Sequence, residues 1–556
     1  MRKSFLVILL VLLVVVGAAI ALVSGSRRTP THPIRPVNDE ALLSPASTPG
    51  QWLLYGGDYS NQRHSNLSQI NRETVARLGP VWKHDSWRLI VPKGRPETTP
   101  IAVDGMLIYT DAQNLVVAVD ARDGRELWRY QYNAGSVALC CGLVNRGVAV
   151  YGDKVFFGTL DAELVALDRR TGALVWKQEI AQPSLGYSFT MAPLAADGKI
   201  LIGASGGEFG IRGFLDAYDP QTGRRIWRFW TIPSPADGGW WGRWSPITPD
   251  GERLPRDIAQ EKRDSSRFAN AWQRGGGGIY STPAYDPKLG LVIFGTGNPS
   301  PVDGVPPPGD NLYTTSLVAV DISTGKLRWF YQMVPHNIWD YDAASPVVLF
   351  DVTRGGTTIP AVAHAGKTGW VYILDRRTGK PLLRSDPLMP LENIFPAPST
   401  SGKRTSPSHR GGANWPPPAY SSQTGLLYVL ASYLPMTFVD KSEAGRKGVA
   451  GVFEPLPSEI KSGTVSAIDV ATGKIRWQRK TPSHFMYGGA LATAGGLVFY
   501  GEPSGYLNAV DAKSGEPLWR YRVVKGYTGP LISFELDGQQ RIVVTTRNGI
   551  VALGLK

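Results

Sequence analysis

At 556 residues, with 63 Gly, 43 Pro, 17 Trp and 42% hydrophobic residues, the chain is long enough for several ordinary domains or for one large closed repeat. So many turn formers, with helical periodicity scarce after the first 25 residues, exclude a helical bundle and favour many short strands. The formal charge of +13 is spread without Lys/Arg runs or base-stacking patches, which argues against nucleic acid as a partner. It reads as a solvated basic surface, with an acidic soluble partner as the alternative.

Met1-Arg2-Lys3 precedes an unbroken apolar run from Phe5 to Val23, close to the roughly 20 residues that a bilayer-spanning helix needs. Ala19-Ile20-Ala21 offers a small-x-small cleavage site, so residues 1–25 are expected to be either a membrane anchor or a cleaved signal peptide. Both place the body outside the cytoplasm, in the periplasm, with residues 5–23 as the inner-membrane anchor in the first case. Residues 26–50, with Pro30, Pro33, Pro36, Pro45 and Pro49, are expected to form an extended linker. Residues 51–556 form the folded domain.

Within that domain one pattern recurs: apolar residues, Asp, two variable residues, Thr or a substitute, Gly, and a Trp eight positions after the Asp. It occurs at Asp120/Trp128, Asp168/Trp176, Asp219/Trp227, Asp321/Trp329, Asp469/Trp477 and Asp511/Trp519, with Asp375/Leu383 as a copy lacking its Trp and a partial copy ending at Trp82. Asp caps a tight hairpin, Gly accepts positive φ, and Trp falls on the next strand facing a neighbouring sheet. Asp-to-Asp spacings of 48, 51, 54 and 42 residues suit a four-stranded blade, so the fold class is all-β: an eight-bladed β-propeller with Trp-containing blade repeats. The strand Arg541 to Thr546 is expected to close the ring beside N-terminal strands. Two oversized gaps, 219 to 321 and 375 to 469, must hold extra material. These Asp and Trp residues are structural.

Chemistry resides elsewhere. The two cysteines, Cys140 and Cys141, are neighbours. Adjacent Cα atoms lie about 3.8 Å apart, below the roughly 4.4 to 6.8 Å usual for a disulfide. The pair is therefore either two thiols or a strained ring, and an oxidising compartment favours the ring. Ser205-Gly206-Gly207-Glu208 combines small residues that admit a ligand to the backbone with a hard oxygen donor. Asn298 sits in a Gly/Pro-framed turn, and Trp339-Asp340-Tyr341-Asp342 offers two carboxylates that would point the same way in an extended strand. Glu208, Asn298, Asp340 and Asp342 together suit a hard cation. Zinc does not fit: His336 has no partner at ligand spacing.

These stretches, with Tyr55 to Arg63, Glu97-Thr98-Thr99-Pro100, Asn145-Arg146-Gly147, Lys367 to Trp370, Asn414-Trp415 and Leu491 to Phe499, resemble the pyrroloquinoline quinone (PQQ) dependent alcohol dehydrogenases, the quinoproteins that include methanol dehydrogenases, from about Gln51 onward. The resemblance implies that a Cys140–Cys141 disulfide covers one face of the quinone. It also implies that Glu97, Arg146, Thr190, Ser205, Gly206, Gly207, Lys367, Asn414 and Trp415 hold its edges. Glu208, Asn298 and Asp340 match the metal-site positions, and Asp340 also matches the catalytic base. Asp342 stands where lanthanide-using members carry a second Asp, although sugar-oxidising relatives carry an acid there too, leaving calcium and a lanthanide both open. Two positions depart from the family: Tyr280 and Tyr487 replace common Trp residues, and either ring can still stack.

The implied reaction is oxidation of a small alcohol to an aldehyde, with a sugar or polyol as the alternative substrate. No Cys-x-x-Cys-His motif is present, so electrons are expected to pass to a separate acceptor such as a cytochrome c or membrane quinone. A homodimer stands as an alternative to a monomer. The rival class is a non-catalytic propeller of the outer-membrane assembly type, which accounts for the repeat but not for these site residues.

Overall fold

The computed structural model describes residues 33–44, 48, 50–86, 96–135, 137, 139, 141–301, 306–440, 452–482 and 484–556; the apolar run from Phe5 to Val23 and Cys140 lie outside them. Among the described residues, eight antiparallel meanders each contribute one blade. In blade 1, Ile101–Val103, Met106–Asp111, Leu115–Asp120 and Glu126–Gln131 pair in sequence order. Blades 2 to 7 repeat this over 149–179, 194–230, 284–332, 348–384, 419–481 and 490–522. The first three strands are buried nearly throughout, as their continuous apolar runs require when both faces meet neighbouring sheets. The fourth alternates with solvent.

Blade 8 is composite. Its strands Thr528–Leu536, Gln539–Thr546 and Gly549–Leu555 are completed on the outside by Leu78–Asp85 from the N-terminal side, antiparallel to Gly549–Leu555. An N-terminal strand does close the ring, but beside Gly549–Leu555; the expected strand Arg541 to Thr546 lies one place further in, between Thr528–Leu536 and Gly549–Leu555.

The repeat explains how the blades hold one another. Trp indoles donate to the carbonyl just after the Asp of the next blade's turn: Trp128 to Arg169 O at 3.0 Å, Trp227 to Ile322 O at 2.9 Å, Trp329 to Arg376 O at 2.9 Å, while Trp519 meets Leu78 O of the composite blade instead. Trp82 makes the same bond to Ala121 O across the closure at 3.2 Å. The repeat glycine of that next turn lies against the ring. A Cβ on Gly172 (φ +68°) would come 2.5 Å from the Trp128 ring, so the position needs glycine for space as well as for conformation. At the copy lacking Trp, Leu383 fills the place against Gly473, 3.0 Å from where a Cβ would stand.

The oversized gaps hold insertions. One carries the helix Ile258–Asp264. The other adds a three-stranded sheet of Lys403–Thr405, Met436–Val439 and Val452–Pro455 beside blade 6.

The inner edge of the first strands faces the central channel, and its amides need acceptors. The segment 50–65 supplies them in turn. Carbonyls of Gly50, Trp52, Tyr59, Ser60, Gln62, Arg63 and Ser65 accept from Glu535, Ala102, Tyr285, Leu349, Tyr420, Ala492 and Ala494, which belong to blades 8, 1, 4, 5, 6, 7 and 7. Arg63 is fully buried and donates to Ala490 O, Tyr55 O, Thr99 Oγ1 and Leu531 O, tying this plug to blades 7, 8 and the entrance of blade 1.

The stretch expected to be an extended linker is partly docked. Val37 bridges to Gly152, Leu42 of the helix Asp39–Leu43 is buried, and Asp39 accepts from the Tyr151 hydroxyl at 3.2 Å. Buried Val37 and Leu42 anchor this piece, which a Pro count does not register.

Candidate active site

Blade topology decides which loops can share a site. In an antiparallel meander, the crossover into strand one and the turn from strand two to strand three lie at the same end of the blade. The Asp-Gly hairpins between strands three and four lie at the other. Glu97, Arg146, Thr190, Tyr280, Asp340, Asp342, Asn414, Trp415 and Tyr487 all precede first strands, while Ser205 to Glu208, Asn298 and Lys367 lie between second and third strands. Every described candidate therefore sits on one rim, and the repeat occupies the opposite one.

Two clusters form on that rim. In the first, the Arg146 guanidinium pairs with the Glu97 carboxylate at 2.7 Å and donates to Thr190 Oγ1 and to Tyr280 O, each at 3.0 Å. Thr190 Oγ1 and Ser205 Oγ are 2.7 Å apart. Arg146 also lies 5.8 Å from the Trp415 ring centroid, and Trp415 stacks on Tyr487 at 5.5 Å and 15°. A cation, hydroxyls and stacked rings facing one space are the donor set that a flat, acidic, oxygen-rich ligand needs. Asn414 turns its amide oxygen to the Trp415 amide at 2.8 Å, a local cap. Cys141 is exposed and is not a free thiol.

The second cluster is acidic. Lys367 Nζ donates to Asp340 O at 2.9 Å and pairs with the carboxylates of Asp340, at 3.3 Å, and Asp342. Asn298 Nδ2 donates to Asp340 Oδ1. Burial raises the pKa of Glu208, and the charges of Asp342 and Asp340 raise it further. Asp342 is likewise raised by burial, with Lys367 opposing and Asp340 reinforcing. Burial works against the Lys367 ammonium, but the two aspartates outweigh it and hold its pKa above the ordinary lysine value.

The extended-strand expectation for residues 340 to 342 fails. Asp340 lies in a loop with φ +59°, a left-handed conformation that costs a non-glycine residue of order 1 kcal/mol, and the Lys367 bond to its carbonyl holds it there. Among the described residues, no three His, Cys, Asp or Glu side chains converge on a single point. Lys367 pairs with Asp342. The donor chemistry still fits a hard cation: Glu208 Oε2 is buried with no hydrogen-bond partner, and Lys367 alone pairs with both Asp340 and Asp342.

Sequence reasoning missed Asn337. Its amide donates to Asn298 Oδ1 at 2.8 Å and Thr315 Oγ1 at 3.0 Å, and its oxygen accepts from the Trp339 amide at 2.9 Å. The only signal for it was an Asn two residues before Trp339 in a helix- and strand-poor stretch, which reads equally well as a turn residue.

Residues 52–386 match the family model described as glucose/ethanol/alcohol dehydrogenase, beta-propeller domain. Quinoprotein alcohol dehydrogenase PedH of Pseudomonas putida is 34% identical over 545 residues, 93% of this chain and 89% of its own length. A quinoprotein ethanol dehydrogenase of Pseudomonas aeruginosa is 35% identical over 92% of this chain and 88% of its own. The chain belongs to the PQQ-dependent alcohol dehydrogenase family. Among solved structures, a quinohemoprotein alcohol dehydrogenase of Pseudomonas putida superposes with a TM-score of 0.81 at 29% identity, over 94% of this chain and 83% of that one. A europium-containing methanol dehydrogenase gives 0.78 at 30%, over 92% of each. A model of the outer membrane protein assembly factor BamB matches only residues 461–555. Of the site residues, that stretch contains Tyr487 alone, so the family's scaffold-like signal comes from shared blades and the rival class is set aside.

Proposed function

We propose that this quinoprotein oxidises a small alcohol to its aldehyde, with Asp340 taking the hydroxyl proton. The observation that carries this is the state of Asp340. Of the paired acids it is the accessible one, its side chain 27% exposed against 7% for Asp342, and Lys367 grips both its carbonyl and its carboxylate. The Lys367 ammonium and the Asn298 amide orient the Asp340 carboxylate, and an oriented, accessible carboxylate is what a general base needs. Arg146, Thr190, Ser205 and Glu97 would hold PQQ by its polar edges, between Tyr280 and a Cys140–Cys141 disulfide, with Asn414, Trp415, Tyr487, Gly206 and Gly207 shaping the rest. Glu208, Asn298, Asp340 and Asp342 would hold a calcium or lanthanide ion. Bound there, PQQ would supply a hydride acceptor and the cation Lewis-acid polarisation. Lys367 lies within reach to neutralise Asp342 in the absence of a highly charged ion, so a trivalent ion competes best for that carboxylate.

The chain is exported to the periplasm, with residues 5–23 as signal or anchor, and passes electrons to an external acceptor. Purified exported protein, reconstituted with PQQ and either calcium or lanthanum, is assayed with a redox dye against methanol, ethanol, longer alcohols and glucose. Dye reduction with alcohols supports the reading. No reduction and no quinone absorbance in any combination sinks it. Asp342→Ala is expected to abolish lanthanum-supported turnover and spare calcium-supported turnover; equal loss with both ions rejects the trivalent role of Asp342.

A further inference from the structure

The Tyr280 hydroxyl is 3.1 Å from Glu208 Oε1 and donates to it, while Oε2 of the same carboxylate is buried without a hydrogen-bond partner. The ring packs closely against three glycines. A Cβ on Gly207 would stand 3.2 Å from its hydroxyl oxygen, one on Gly297 2.8 Å, and one on Gly278 3.1 Å from the ring edge. Two of these glycines immediately precede the two neutral-to-acidic candidate ligands on the strand-two-to-three loops, Gly207 before Glu208 and Gly297 before Asn298. The phenol thus stands where the ligand loops of blades 3 and 4 meet, on a crossover whose own carbonyl accepts from Arg146.

We propose that Tyr280, beyond serving as a stacking floor, is a positioning residue for the cation site: its hydroxyl holds Glu208 Oε1 so that Glu208 offers a single oxygen, Oε2, to the ion. This rests on the metal-dependent reading above and deepens it. A carboxylate fixed by an outer partner loses less freedom on binding, and loss of such a partner costs about 10- to 100-fold in metal affinity. The residue is this chain's own choice at a position where Trp is common, and the phenol brings a donor that points at a ligand rather than at the quinone.

The test is isothermal titration of La³⁺ and Ca²⁺ into the exported protein, loaded with PQQ and stripped of metal. Wild type is expected to bind one ion per chain, and Glu208→Ala to lose that binding. Tyr280→Phe, which removes one oxygen, is expected to weaken both ions about 10- to 100-fold while keeping the PQQ absorbance and the metal-free melting temperature. Gly207→Ala, which presses on the hydroxyl without removing it, shifts affinity in the same direction by less, and it carries the test if Tyr280→Phe fails to fold. Unchanged or tighter binding in Tyr280→Phe, or in Gly207→Ala where it stands alone, overturns the positioning role and leaves the metal site standing. So does loss of PQQ in Tyr280→Phe, which would assign the hydroxyl to the cofactor instead. Wild type that binds no ion, or Glu208→Ala that binds like wild type, overturns the metal site and this inference together.

Discussion

At the rim where third strands turn into fourth, one solution is reused around the ring: Asp caps the turn, Gly yields to the neighbour's indole, and Trp donates to the following blade, from Trp82 on Ala121 round to Trp519 on Leu78. At the opposite rim no two crossovers carry the same residues. Glu97, Arg146, Thr190, Tyr280, Asp340 and Trp415 enter successive first strands. The backbone is the same at both ends of a blade; what differs is what the end must contact. One rim meets only another copy of itself, so an identical contact satisfies every interface. The other must surround an asymmetric ligand, and repetition there would defeat it. The two rims should therefore fail differently when mutated.

The largest effect belongs to the irregular rim. Asp340→Asn keeps the size and much of the hydrogen bonding but not the basicity, so turnover should fall about 10²- to 10⁴-fold with the melting temperature unmoved. Steady-state kinetics beside a thermal melt checks both halves. A comparable fall in melting temperature would mean that this rim, too, serves stability first.

The repeat rim should give the reverse. Trp128→Ala removes a buried indole, its bond to Arg169 O and its cover of Gly172, at a cost of about 3 to 5 kcal/mol. Turnover per folded molecule should not change. Denaturant titration with an active-site count separates the two. Leu383 already shows that one interface stands without the indole bond.

Between these lies Asn337, which touches no reacting group by the present reading but orients Asn298. Asn337→Ala should raise the cation concentration for half-maximal turnover about 10-fold, leaving the turnover at saturating cation near wild type. A loss that saturating cation cannot restore would move Asn337 from orienting a ligand to shaping the base loop.

The contrast also explains what was legible in the sequence. The repeat could be read because one contact recurs: seven Asp-Gly turns and a partial copy at Trp82 reveal eight blades before any coordinate is known. Glu208, Asn298 and Asp340 were legible only through their neighbours, glycines and prolines that frame short loops. Nothing in linear order says that Lys367 reaches Asp340 and Asp342, or that Tyr280 reaches Glu208, because the first contact is set by the meander of blade 5 and the second by the packing of blade 4 on blade 3. The left-handed Asp340 was hidden for a related reason: its conformation is imposed by Lys367, a residue 27 positions away. The docking of Asp39–Leu43 and the plug of residues 50–65 were obscured by proline content and by the absence of any repeat, since the plug carbonyls reach six different blades from irregularly spaced positions.

The plug sits between the two rims and belongs to neither pattern, and Asp58 tests whether it acts as structure alone. Its carboxylate accepts from the Gln62 amide at 3.1 Å, capping the turn that leads to Arg63, and burial pushes its pKa up to about 6, with backbone hydrogen bonds working against the rise. A carboxyl whose folded pKa exceeds its unfolded value of about 4 binds more protons in the native state between those two values. Stability from this group is therefore full below about pH 4 and is lost as the pH climbs through about 6, above which the carboxyl becomes fully ionised in the folded state. Asp58→Asn keeps an oxygen for Gln62 and removes the titration. Melts of wild type and variant should coincide near pH 4, and the variant should be more stable at pH 7, by about 1 to 2 kcal/mol once the residual solvent contact of the carboxylate is allowed for. Turnover should be the same in both, because the plug lies beneath the site and offers it no side chain from this turn. A variant that is less stable at pH 7 would show that the ionised carboxylate, through the backbone hydrogen bonds it accepts, is what holds the plug in the channel.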